Sequence, residues 1–126
     1  MEYYEALKKL YKPQTGSIWK APNRIWTSGF ASGAPNEDIH PSIVEKLHSS
    51  NITLSIAPGT SKEKHGSCVY KVKLNDEDKT TYFLIDLSMP YHVDDIKELE
   101  RGWNGMDELN HDQKEDFKRQ IKFCKG

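Results

Sequence analysis

Residues 40–59 read HPSIVEKLHSSNITLSIAPG, and the fold turns on whether the first half of this stretch is helix or strand. Pro41 suits the first turn of a helix, where its missing N–H would be unpaired anyway. Ile43, Val44 and Leu47 follow on one side of a helical pattern. Ser49-Ser50-Asn51 supplies a stop, and Ile52 to Ala57, with its β-branched residues, reads as a buried strand. The stretch is therefore expected to be a helix leading into a strand.

Working upstream, residues 24–36 read RIWTSGFASGAPN, a short strand from Arg24 to Thr27 running into a glycine- and serine-containing loop. Segment 24–57 then has the order strand, loop, helix, strand, a βαβ unit if its strands are parallel. Such a crossover places the loop after each strand at one end of the sheet, where ligands of open α/β sheets gather. The first loop carries Thr27, Ser28, Gly29, Ser32 and Gly33, and the second carries Gly59, Thr60, Ser61, Lys62, Lys64 and His65. Glycine permits close backbone approach, hydroxyls donate hydrogen bonds, and the lysines add positive charge. Ser28, Gly29, Ser32, Gly33, Thr60, Ser61, Lys62, Lys64 and His65 are thus the candidate ligand-binding residues, for a phosphate-bearing ligand of nucleotide type. Neither loop matches G-x-x-x-x-G-K-[ST] or G-x-G-x-x-G. Glu37 and Asp38 stand where they would repel an anion, and the same residue types build ordinary connectors, so both readings stay open.

On the far side, Cys68, Tyr70, Val72 and Leu74 alternate, Asn75 to Asp78 supply a turn, and Thr81, Phe83, Ile85 and Leu87 alternate again. That pattern predicts an antiparallel hairpin. Tyr3, Tyr4, Leu7, Leu10 and Tyr11 define a first helix ended by Lys12-Pro13, and residues 13–23 read as an irregular connection. Val93, Ile96 and Leu99 predict a short helix opened by Asp94-Asp95. Gly102 and Gly105 break the chain around Trp103, and a last helix runs from about Asn110 to Phe123. The expected fold is one domain over 1–126, α/β or α+β, with a single mixed sheet of about four strands and helices packed on it.

Bulk composition narrows the function classes. The 18 Lys and Arg balance 19 Asp and Glu to a net charge of −1, which argues against strong nucleic-acid capture. No segment reaches the ~20 apolar residues of a membrane helix. Two cysteines cannot build a disulfide framework, so a cytoplasmic setting is expected. His40, His48, His65, His92 and His111 share no i, i+4 ligand spacing, and neither metal nor cofactor is expected. Most of them read as surface residues, with His65 and His92 set apart by their places beside strands. Asp86, Asp94 and Asp95 flank the SMPYHV loop, where a carboxylate can act as a general acid. Asp94-Asp95 more simply cap the following helix.

The succession RIWTSGF, HPSIVEKLHSSNITLSIAPG and YFLIDLSMPYHVDDI resembles in layout the front part of cysteine-dependent dual-specificity phosphatases. The resemblance implies a sheet that delivers a catalytic Cys in a His-Cys-x5-Arg loop. Cys124 is the position that matches the nucleophile, and Asp86, Asp94 or Asp95 match the acid. Phe123 stands where that family has His, and no Arg follows Cys124 in this sequence. Three functions remain: a non-catalytic binder of a phosphate-bearing small molecule, a truncated or degenerate phosphatase-like enzyme, or an interaction or inhibitor protein. The last would act on a protein partner through Trp19, Tyr91 and Trp103. No catalytic residue is assigned, and oligomeric state is left open.

Overall fold

The computed structural model describes residues 13–27, 35, 37–48, 52–75 and 78–125. The predicted helix over Tyr3 to Tyr11 and the loop residues Ser28, Gly29, Ser32 and Gly33 lie outside them.

The described chain is mostly sheet. Its strands are β1 (Ile18–Pro22), β2 (Ile39–Leu47), β3 (Thr53–Thr60), β4 (Val69–Val72), β5 (Thr81–Leu84), β6 (Met89–His92) and β7 (Glu100–Arg101). Every pairing is antiparallel, in the order β4-β5-β3-β2-β1-β7, with β6 also on β3. A one-turn helix, α1 (Val93–Ile96), and a longer one, α2 (His111–Lys125), complete the regular structure with two 3-10 turns. The expected mixed sheet of about four strands with packed helices is therefore corrected to a seven-stranded antiparallel sheet with one long helix.

The decisive error sits at HPSIVEKLH, which is strand and not helix. Pro41 to Glu45 are buried without a break, and Ile43 and Val44 are both fully buried. In a helix two adjacent residues stand about 100° apart around the axis, whereas in a strand they point to opposite faces. Ile43 enters a core with Ile18, Ala57, Phe83 and Phe117, while Val44 enters a second core with Trp19, Leu54, Ile56 and Met89. A sheet covered on both faces needs that arrangement, and its central strands read as continuous apolar runs. Each such side chain contributes about 1.5–3 kcal/mol by leaving water. Pro41 is tolerated because it stands one residue beyond the last β2–β3 pair, Ser42↔Pro58.

The same two-faced logic makes β1 a strand in a segment expected to be irregular, with Ile18 in one core and Trp19 in the other. The expected strand at Arg24–Thr27 is instead a 3-10 turn over Asn23–Ile25. β3 runs on through Pro58, Gly59 and Thr60, which had read as loop. The hairpin pairs as its alternation predicts, from Val69↔Leu84 to Val72↔Thr81. A 3-10 turn at Ile85–Leu87 interrupts the strand after β5. β5 therefore pairs with the end of β3 and β6 with its beginning.

α2 lies over the first core through Phe117, whose ring centroid is 5.2 Å from that of Tyr70. Asn110 opens it with a reciprocal cap: Asn110 Oδ1 accepts from the Gln113 N–H at 2.8 Å, and Gln113 Oε1 accepts from the Asn110 N–H at 3.0 Å. α1 is capped by His92, whose Nδ1 accepts from the Asp94 N–H at 3.1 Å, and not by Asp94-Asp95 as expected. Cys68 and Cys124 form a disulfide that ties the end of α2 to the start of the hairpin. Cys124 is therefore not the free thiol that its match to a nucleophile implies.

Candidate ligand-binding site

The start of β2 and the end of β3 meet at one end of the sheet through antiparallel pairing, not through a parallel crossover. Ser42↔Pro58 sets the start of β2 beside the end of β3, and Ala21↔His40 sets it beside the end of β1. Residues that follow Thr60 therefore face residues that lead into Ile39. A cleft of about 300 Å³ opens here, lined among others by His40, Ser61, Lys79, Thr81, Trp103 and Asn104.

Each of these side chains arrives by a different local device. His40 stands at the second position of β2, half-buried, with its Nδ1 2.7 Å from Asn23 Oδ1. Asn23 is itself buried in the 3-10 turn after β1, and its Nδ2 donates to the Pro35 carbonyl at 3.0 Å. Burial pulls the His40 pKa below its usual value, Asp38 opposes this, and Lys62 adds to it. Thr60 closes β3 buried, and its Oγ1 accepts from the Lys62 N–H at 3.1 Å, which turns the chain out of the sheet. Lys79 and Thr81 come from the entry to β5.

Trp103 and Asn104 belong to a two-residue turn. Trp103 and Met106 exchange both backbone hydrogen bonds, at 3.0 and 2.9 Å. Asn104 and Gly105 between them have φ of 52° and 79°. Positive φ at both central positions is the conformation that Asn-Gly favours in tight hairpins. That dipeptide was the signal in the sequence for this turn, where Gly102 and Gly105 had read only as breaks.

Of the candidate residues, the structure brings Ser61 into the cleft and Lys62 close enough to act on His40, while Thr60 is buried at the end of β3. Lys64 and His65 are exposed outside the cleft lining, and His65 Nε2 is 3.3 Å from Glu63. His40, expected as a surface histidine, supplies the imidazole of the cleft, and Asn23, Lys79 and Asn104 were missed. His40 carried no spacing signal, because its neighbours come from residues 23, 61, 79 and 103, joined only by sheet register.

The aromatic surface expected around Trp19, Tyr91 and Trp103 does not form as drawn, because Trp19 is buried in the second core. A separate open groove of about 1070 Å³ runs beside β4 and α2, bordered by Tyr70, Arg119, Lys122 and an exposed Phe123. Asp86 is exposed in its 3-10 turn, and Asp94 and Asp95 sit in the first turn of α1. Cys124 is held in the disulfide and presents no thiolate. Among the described residues, no group of three or more His, Cys, Asp or Glu is placed to hold a metal ion. No helix among them is long and apolar enough to cross a membrane. No family model matches this chain, and no curated protein matches it.

Proposed function

We propose that this protein binds a phosphate-bearing, nucleotide-like ligand in the cleft between the start of β2 and the end of β3. One observation carries the reading: a single cleft gathers an imidazole, a hydroxyl, an ammonium and an indole, from His40, Ser61, Lys79 and Trp103. Hydroxyl and ammonium groups suit phosphate oxygens, and a half-buried indole suits a base. Because Trp19 and Trp26 are buried, Trp103 is the indole that a bound base would quench. Fluorescence titration and thermal melts with adenosine and uridine monophosphates and inorganic phosphate test it. Saturating nucleotide at about 100 Kd raises stability by about 2.7 kcal/mol. Unchanged melting and unchanged emission with all three ligands sink the proposal.

A second reading, catalysis at the same cleft, is favoured by the lowered pKa of His40, which leaves a neutral imidazole at pH 7. A neutral imidazole beside cations suits a general base for RNA transesterification. It takes the proton from a 2′-hydroxyl, the 2′-oxygen attacks phosphorus, and the P–O5′ bond breaks as the 5′-oxygen takes a proton from solvent water, giving a 2′,3′-cyclic phosphate and a 5′-hydroxyl. Incubation with single-stranded RNA is expected to yield fragments with cyclic ends, reduced about 10²-fold or more in His40→Gln. Intact RNA removes this reading and leaves the binding reading standing.

A further inference from the structure

We infer that Asn23 is a positioning residue that holds His40 as its Nδ1–H tautomer, so that Nε2 is the atom that takes up a proton and ligand binding strengthens on acidification. The inference deepens the binding reading above and rests on it for its ligand half. The tautomer half rests on the Asn23–His40 geometry alone.

The orientation of the Asn23 amide follows from its partners. Its Nδ2 lies 3.0 Å from the Pro35 carbonyl, which can only accept, so that atom must be the NH2 group. The other end facing His40 Nδ1 at 2.7 Å is then the oxygen, also an acceptor only. An acceptor at that distance requires Nδ1 to carry hydrogen. Exchanging the amide ends would set oxygen against the Pro35 carbonyl, which buried Asn23 does not tolerate. The Asn23 backbone is fixed too, since its N–H donates to the Asp38 carbonyl at 2.9 Å.

With Nδ1–H committed to Asn23 in both charge states, the proton that titrates is the one on Nε2. Protonation therefore breaks no hydrogen bond to Asn23 and adds a charged donor to the cleft. Among the described residues, the charged groups acting on the ring include Asp38 from the approach to β2 and Lys62 from the loop after β3, with Lys79 on the same cleft from the approach to β5. Burial and Lys62 hold the ring neutral around pH 7, and an anion in the cleft favours the protonated form. By linkage, acid favours the anion in return.

The test has two arms. Long-range ¹H–¹⁵N spectra of the imidazoles, with His40 assigned by its loss in His40→Gln, report the tautomer directly. At neutral pH the wild type is expected to show a protonated Nδ1 and a bare Nε2, and Asn23→Ala to shift towards the Nε2–H form. Asn23→Asp, which keeps an acceptor at Nδ1, is expected to keep the tautomer and raise the His40 pKa. The second arm titrates the dinucleotide d(TpT), whose phosphodiester keeps one charge throughout, from about pH 8 down to about pH 5. Affinity is expected to rise about tenfold in the wild type and to stay flat in His40→Gln. A wild-type Nε2–H tautomer, or an unchanged tautomer in a folded Asn23→Ala protein, overturns the positioning role. An expected tautomer with d(TpT) binding that is flat with pH overturns the acid-strengthened binding. An expected tautomer with no binding of d(TpT) at any pH, or of the monophosphates, overturns the ligand reading and leaves Asn23's role intact.

Discussion

Single residues fix the tightest points of this sheet. Gly59 lies where β3 meets β5, and a Cβ there would stand 2.8 Å from Phe83 Cε1 and 2.9 Å from Cδ1. That ring is fully buried in the core, so Gly59→Ala is expected to cost about 1–3 kcal/mol, read from urea melts. Tyr70 offers a pH-dependent counterpart. Its hydroxyl donates to the Gln113 carbonyl at 3.0 Å. Burial first, and Asp116 second, push its pKa from 10.0 up to about 12, against the opposing charge of Arg119. A raised pKa favours the neutral phenol in the fold, so this contribution is complete below pH 10 and lost as pH rises towards 12. Tyr70→Phe is expected to lose about 1 kcal/mol at neutral pH and to show a shallower alkaline decline in thermal melts. At this scale the sequence was partly legible. The alternation of Tyr70 and Val72 announced their burial, but nothing local announced that Gly59 faces Phe83.

Among the elements, α2 shows why some segments can be read and others cannot. Asn110 and Gln113 satisfy its first N–H groups from within four residues of chain, and Phe117, Ile121 and Cys124 recur at helical spacing. Everything needed to recognise it is local. Its other end is held by long-range chemistry: the disulfide to Cys68, and an ion pair from Lys125 to Glu45, whose carboxylate is buried at a register shift in β2. With a sequence separation of 56 between the cysteines, cross-linking removes about 4 kcal/mol of unfolded-chain entropy by the loop-closure account. Cys124→Ser is expected to lower stability by about 2–4 kcal/mol, seen as a lower melting temperature that reducing agent does not lower further. β2 is the opposite case. Its proline, and apolar residues that also fit a helix, hide a strand identified only by the two cores on its flanks.

For the whole molecule, the cleft and its titration belong to the assembled sheet. His40 has its pKa lowered by burial, so the fold favours the neutral ring. Stability from this group is present above the unfolded value of 6.5 and falls as pH drops below it towards the folded pKa. His40→Gln is expected to flatten that acid limb in melts recorded between about pH 5 and about pH 8.

By itself the sequence determined the β4–β5 hairpin, the short helix after Pro90, the last helix and a size suited to one domain, because each is written in contacts or periodicity spanning a few residues. It also marked Thr60, Ser61 and Lys62 as polar residues at a strand's end. Tertiary structure alone decided that HPSIVEKLH is a strand, that Cys68 meets Cys124, and that His40 stands with Ser61, Lys79 and Trp103. Those outcomes depend on which face of which strand is covered, a quantity set by register between segments far apart in the chain. A pattern read along one segment contains no information about the second face, and here both faces are buried.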